Sequence, residues 1–120
     1  MIWLAVAAGG ALGAVARFGV AACVGPCPPA TFPWSTLFVN VVGCFAIGLL
    51  LAFAEGARFG DQARAFLVTG LIGSFTTFST FGFESIALFE RGRVGLALVY
   101  VVGSIIVGFG ALLAGRALVG

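Results

Sequence analysis

Long apolar segments alternate along the chain with short connectors that are polar or rich in proline. The apolar runs cover 2–22, 34–54, 65–89 and 94–114. At about 1.5 Å per helical residue, each run is long enough to cross a hydrocarbon core of roughly 30 Å. Charge or proline ends each run, in connectors at 25–33, 55–64 and 90–93. The pattern predicts an all-α membrane protein in which a single domain, 1–120, contains four transmembrane helices.

The composition excludes a soluble domain and most classes of enzyme. Of 120 residues, 62% are hydrophobic and 8% are charged, against roughly 25% charged in an ordinary soluble domain. A mean hydropathy of +1.23 leaves too little polar surface to coat a soluble protein of 12.2 kDa. The chain has no histidine and its six basic residues are all arginine, which excludes histidine-dependent catalysis, histidine metal sites and lysine chemistry. We therefore expect a lipid-embedded protein that is not an enzyme.

The arginines are scattered along the chain, so no cationic face for nucleic acid is expected. In a four-span topology, one side of the membrane holds Arg58, Arg64 and Arg116, and the other holds Arg17, Arg91 and Arg93. Equal counts give the positive-inside rule no bias, which predicts insertion in both orientations and an antiparallel, dual-topology homodimer. The alternative is that one charge, such as Arg58, dominates and fixes a single orientation.

The third apolar run contains an unusually polar stretch. Between Gly70 and Glu84 it carries five hydroxyl side chains and three glycines. Serine and threonine compete for neighbouring backbone groups, and glycine costs about 1 kcal/mol against alanine, so the pattern predicts a break near the bilayer midplane. A break exposes carbonyls, which are tolerated at that depth when they are buried in protein, line a cavity or meet a cation. The alternative is an intact helix whose hydroxyls bond back to the preceding turn.

Phenylalanines recur at every third position of this stretch, at Phe75, Phe78 and Phe81. Such a stripe is usually a packing face. Here it alternates with hydroxyl side chains, among them Ser79, and the edges of aromatic rings carry positive partial charge. Ring edges and neutral donors together suit a small monovalent anion without holding it too tightly to leave.

Polar side chains in the second and fourth runs need partners, because an unsatisfied amide or hydroxyl in hydrocarbon costs several kcal/mol. Asn40 follows Thr36 by one helical turn, and its amide offers two N–H donors. Tyr100 and Ser104 are four residues apart, so their hydroxyls share a helix face. Asn40 is either an anion ligand or an interhelical hydrogen-bonding residue, and the same two interpretations hold for Tyr100 and Ser104.

Three motifs follow one another along the chain. They are Gly-Gly-Ala-Leu-Gly-Ala-Val-Ala-Arg-Phe at 9–18, Ser-Thr-Leu-Phe-Val-Asn-Val-Val-Gly-Cys around Asn40, and Gly-x2-Gly-Ser-Phe-Thr-Thr-Phe-Ser-Thr-Phe at 70–81. Together they resemble the Fluc, or CrcB, family of small dimeric fluoride ion channels, and the resemblance covers all four spans. It implies an antiparallel homodimer in the bacterial plasma (inner) membrane, with two pores that let fluoride leave passively, relieve fluoride toxicity and exclude chloride.

The resemblance also implies roles for individual residues. Asn40 would donate its amide in the pore, Phe78 and Phe81 would present their ring edges, and Ser79 would lie beside them. A polar track would continue through Tyr100 and Ser104, with Thr36 facing it. Gly108, where some members carry another hydroxyl, departs from this pattern at the far end of the track.

The same resemblance implies a sodium ion at the dimer centre, held by backbone carbonyls that by position are those of Gly73 and Thr76. Arg17 would place positive charge in an aqueous vestibule. The alternative for Arg17 is that its side chain extends to the membrane interface.

Two other functions remain open from the residues. A small proton-coupled exporter of the multidrug type needs a membrane carboxylate, and the nearest candidate is Glu84 toward the end of the third span. A structural subunit of a larger complex would use its polar residues only to pack helices. The second and fourth runs contain no acid or base, which favours the channel.

Overall fold

The structure, a computed structural model, describes residues 1–56 and 59–119, so Arg58 lies outside the described residues. The chain is helical through its apolar runs except at Thr76 and Thr77 in the third. We number the helices α1 (Ile2–Val24), α2 (Trp34–Gly56), α3 (61–75), α4 (Phe78–Glu90) and α5 (Val94–Val119). Within the described residues there is no β-strand, which confirms the all-α prediction.

The four predicted spans are present in the part of the chain that the structure describes. α1, α2 and α5 each form one span, while α3 and α4 together form the span Asp61–Glu90. Each span is longer than the apolar run that predicted it; α5, for example, continues to Val119. Helical hydrogen bonding continues into the interfacial region, where glycine and charged residues have already lowered the hydropathy.

The third span breaks at Thr76 and Thr77, as the hydroxyl-rich pattern predicted. Both residues have extended backbone, with φ and ψ of −81° and 159° at Thr76 and of −148° and 120° at Thr77. The alternative of an intact helix is therefore wrong. The helix before the break is itself irregular, because its middle segment, Ala65–Ile72, has π-helical hydrogen bonding, a geometry that is often found near functional sites.

Glycines allow two pairs of helices to approach closely. α1 lies along α3, and a Cβ at Gly9 or Gly13 would overlap the backbone carbonyl of Phe66 or Leu71. α2 lies along α5, where Gly48 meets the backbone of Leu112 in the same way. These two contacts place the broken span beside α1 and bring the polar residues of α2 next to those of α5.

Few side chains are buried within a single copy of the chain. Val39 and Tyr100 are the largest fully buried side chains, and Tyr100 lies where α2, α4 and α5 meet. Many large apolar side chains are exposed, including Trp3 and Trp34 at the starts of the first two helices. This outward apolar surface is what lipid, or another apolar helix face, would cover.

Replacement of Gly13 by alanine is expected to destabilise the fold by about 1–3 kcal/mol, because the new methyl group would overlap α3 backbone. The matched control is Gly19→Ala on the same helix, where no atom lies within 4 Å of the added Cβ. Thermal unfolding in detergent should show a lower midpoint for Gly13→Ala only. Equal midpoints for the two variants would contradict the close contact of α1 with α3.

Candidate functional site

Asn40 pairs with the backbone at the break. From α2, its Nδ2 donates to the Thr77 carbonyl at 3.1 Å, and its Oδ1 accepts from the Thr77 N–H at 2.8 Å. These are the two peptide groups that Thr77 would have used inside a continuous helix. Because lipid offers no partner for them, the Asn40 amide makes the break possible at this depth. One N–H of Asn40 remains beyond this pair.

A threonine cap begins α4 immediately after the break. The Thr77 hydroxyl accepts from the Thr80 N–H at 3.2 Å, as an N-cap side chain does. The Ser79 hydroxyl lies 3.4 Å from the same Thr77 oxygen. The positive end of the α4 dipole, together with these hydroxyls, is therefore directed at the break.

Arg17, on α1, contacts the C-terminal end of α3, on the side of the break opposite to α4. Its Nε donates to the Ser74 carbonyl at 3.1 Å from a partly buried position on α1. Positive charge near a helix C-terminus stabilises the carbonyls that have no partner there. The sequence analysis interpreted Arg17 either as a vestibule charge or as an interfacial side chain. Neither interpretation included this contact with α3.

Two carbonyls at the end of α3 keep no hydrogen-bond donor within the described residues. Gly73 would accept from Thr77 in a regular helix, but that N–H is taken by Asn40. Thr76 would accept from Thr80, whose N–H is taken by the Thr77 side chain. Carbonyl oxygens are ligands that suit hard cations. The carbonyls of Gly73 and Thr76 therefore fit the cation that the resemblance implied.

A cavity of about 260 Å³ opens beside the break. Its walls include Asn40 and Gly43 of α2, Thr76 and Thr77 of the break, and Phe78 and Phe81 of α4. Phe78 is 84% exposed, and its ring centroid lies 6.0 Å from that of Phe81. The structure thus brings together the amide, the hydroxyl-rich break and both phenylalanines that were singled out from the sequence.

A second polar group lies between α4 and α5. Tyr100 is fully buried, and its hydroxyl donates to Glu84 Oε1 at 3.0 Å. The buried Thr36 neighbours the same phenol. Phe81 contacts both this group and the cavity at the break, because it lines that cavity and its ring centroid lies 5.1 Å from that of Tyr100. While the bond to Glu84 is made, the Tyr100 hydroxyl has no proton left for an anion.

Ser104 lies one turn beyond Tyr100 on α5. Its buried hydroxyl oxygen has no hydrogen-bond partner within the described residues. An unpaired polar atom in a membrane protein is costly, so this hydroxyl has a hydrogen-bonding capacity that the described residues do not satisfy. At Gly108, a further turn along, an added Cβ would lie 3.5 Å from Cys44 Sγ.

Two functional candidates were missed or undervalued in the sequence. Thr77 supplies both backbone groups for Asn40, and only its place in the hydroxyl-rich stretch pointed to it. Glu84 was considered solely as the carboxylate of an exporter. The sequence signal that could have pointed to Glu84 was Tyr100, the single tyrosine of the chain. A buried phenol in a membrane needs a hydrogen-bond partner.

Fold and site together define a small four-span membrane protein whose broken third span lines a polar cavity. The family model described as "CrcB-like protein, Camphor Resistance (CrcB)" matches residues 4–116. The chain belongs to this family.

Three relatives illustrate the similarity, and each carries the name fluoride-specific ion channel FluC. The protein of Thermus thermophilus is 51% identical over 106 residues, which cover 88% of this chain and 85% of the relative. The proteins of Nitrobacter winogradskyi and Paracoccus denitrificans are 48% and 47% identical, cover 93% and 94% of this chain, and are each covered to 90%.

Replacement of Arg17 by methionine should destabilise the protein by about 1–3 kcal/mol, because the Ser74 carbonyl loses a charged donor. Methionine keeps most of the packing of the arginine stem. Arg64→Met is the control, since Arg64 is exposed. A thermal midpoint that falls in both variants equally, or in neither, would show that Arg17 does not support the end of α3.

Proposed function

We propose that this protein is a fluoride-selective channel through which fluoride leaves the cell passively, relieving fluoride toxicity. The observation that carries the proposal is the cavity at the break, whose walls combine the Asn40 amide with the threonines of the break and the rings of Phe78 and Phe81, and include no charged side chain among the described residues. The names of the relatives support the same function. The protein would act in the bacterial plasma (inner) membrane, where its four spans cross the bilayer.

In the proposed mechanism, dipoles replace part of the hydration shell of the anion. The free N–H of Asn40, the positive ring edges of Phe78 and Phe81 and the hydroxyl of Ser79 would face the ion. The N-terminal end of α4 adds a partial positive charge. Because each partner is neutral, binding is strong enough for entry and weak enough for exit. A passage lined by bulky rings favours a small halide, which would exclude chloride.

A polar track would continue the route along α5 and α2. Its members are the Tyr100 and Ser104 hydroxyls, with Thr36 facing them. The unpaired Ser104 oxygen is the main support for this part of the route. Tyr100 would line this route with its hydroxyl held on Glu84 and its ring against Phe81. Arg17 would add positive charge where the anion enters.

The proposed assembly is an antiparallel homodimer with a sodium ion at its centre. Each copy supplies the unpaired carbonyls of Gly73 and Thr76. Hard cations with oxygen ligands take about six oxygens; one copy would offer two carbonyls, and a second copy would raise the number to four. The equal arginine counts on the two sides of the membrane support the antiparallel arrangement.

The two rival functions have less support. A proton-coupled exporter would load and release a proton at Glu84. In this structure the Glu84 carboxylate accepts a hydrogen bond from the Tyr100 hydroxyl, and the Tyr100 ring packs against Phe81. A structural subunit would not require a cavity beside the break or an unpaired Ser104 hydroxyl.

Vesicles that contain only this protein test the proposal. After reconstitution at known density, fluoride-loaded vesicles with valinomycin and potassium should release fluoride rapidly in the absence of a proton gradient. A fluoride electrode measures the release, and chloride-loaded vesicles should retain their anion. Fluoride release that is no faster than from empty vesicles would contradict the proposal, and release that requires a proton gradient would favour the exporter.

The proposed cation predicts sodium binding by the purified dimer. Protein passed through gel filtration in radioactive sodium, with a large organic cation in excess, should retain one sodium ion per two chains. Heat-unfolded protein, whose carbonyls are no longer held together, is the control. If the native protein retained no more sodium than this control, the proposed cation site at Gly73 and Thr76 would be wrong.

A further inference from the structure

Phe32 belongs to the connector between α1 and α2 and contacts the second polar group. Its ring centroid lies 5.4 Å from that of Tyr100, with an interplanar angle of 81°, which is an edge-to-face contact. On its other side, the ring lies 4.5 Å from Trp34. The next residue, Pro33, is buried and begins the approach to α2. Phe32 is thus held from the connector side and presses on the phenol of α5.

Tyr100 is held at three points by side chains of two other elements. Phe81 and Glu84, both on α4, contact its ring and its hydroxyl. Phe32 is the aromatic contact that comes from outside α4, and Thr36 of α2 also neighbours the phenol. The order of the rings is Phe78, Phe81, Tyr100 and Phe32, with centroid distances of 6.0, 5.1 and 5.4 Å. A displacement of Tyr100 therefore acts on Phe81, which lines the cavity at the break.

Space for such a displacement exists on the connector side. A cavity of about 290 Å³ lies between the connector and α4, and its walls include Cys27, Phe32 and Glu84. A shorter side chain at position 32 would enlarge this cavity next to the phenol. Tyr100 would then lose its aromatic contact on that side and gain room to turn away from Glu84.

We propose that Phe32 is a positioning residue that keeps the Tyr100 hydroxyl on Glu84 and the Tyr100 ring against Phe81, and so sets the rate of ion passage. The inference rests on the proposed channel function for its effect on rate, but not for its effect on Tyr100. The competing possibility is that Phe32 only anchors the connector.

A spectroscopic label reads the position of Tyr100 directly. Because Tyr100 is the only tyrosine, biosynthetic 3-fluorotyrosine gives ¹⁹F signals from this residue alone. Phe32→Leu should shift or broaden the resonance in fluoride-free detergent solution, and Phe32→Trp, which keeps an aromatic ring, should restore a sharp signal. Phe89→Leu is the control, since that ring is exposed on α4. A Phe32→Leu spectrum equal to that of the wild type would overturn the proposal.

Fluoride efflux then tests whether Phe32 acts through Tyr100. The free energy of an edge-to-face aromatic pair corresponds to a factor of about two to ten in an equilibrium constant. Phe32→Leu should therefore slow efflux by about that factor, while Phe89→Leu should leave the efflux rate unchanged. In a Tyr100→Phe background, Phe32→Leu should add little, because the hydroxyl that it positions is already absent.

The remaining outcomes are distinguishable. Effects of Phe32→Leu and Tyr100→Phe that multiply would show independent action and overturn the proposal, as would slower efflux with an unchanged ¹⁹F signal. If wild-type vesicles release fluoride no faster than empty ones, the proposed function fails, and the ¹⁹F comparison alone decides whether Phe32 positions Tyr100.

Discussion

A peptide group inside a lipid bilayer needs a partner within the protein, and the third span meets this requirement with one amide side chain. Asn40 supplies an acceptor and a donor to the two peptide groups of Thr77. Without such a partner, each unsatisfied group would cost several kcal/mol in hydrocarbon. This pair of hydrogen bonds therefore stabilises the extended backbone at the break, from which α4 begins.

The break separates two electrostatic environments within a few residues. The N-terminal end of α4 presents N–H groups and hydroxyls, which favour an anion, while the C-terminal end of α3 presents carbonyls, which favour a cation. Arg17 donates to one of these carbonyls, that of Ser74, while those of Gly73 and Thr76 have no donor in the part of the chain that the structure describes. A single interruption of one helix thus supports both the proposed fluoride route and the proposed cation site.

Much of this architecture follows from the sequence, because span length and polar interruptions are local properties. Apolar runs of sufficient length predicted four helices, and the density of hydroxyls and glycines placed the break. Contacts between spans were harder to predict. Arg17 reaches Ser74 only because Gly9 and Gly13 let α1 lie close to α3, and the pairing of Glu84 with Tyr100 depends on how α4 packs on α5.

The central claim is that the Asn40 amide both completes the break and faces the permeating anion. Its most direct test is fluoride efflux through Asn40→Asp, reconstituted beside the wild type after cross-linking has shown that both form dimers. A carboxylate can still accept from the Thr77 N–H, but it has no N–H for fluoride and repels an anion. The account predicts efflux equal to that of empty vesicles; efflux at the wild-type rate would contradict it.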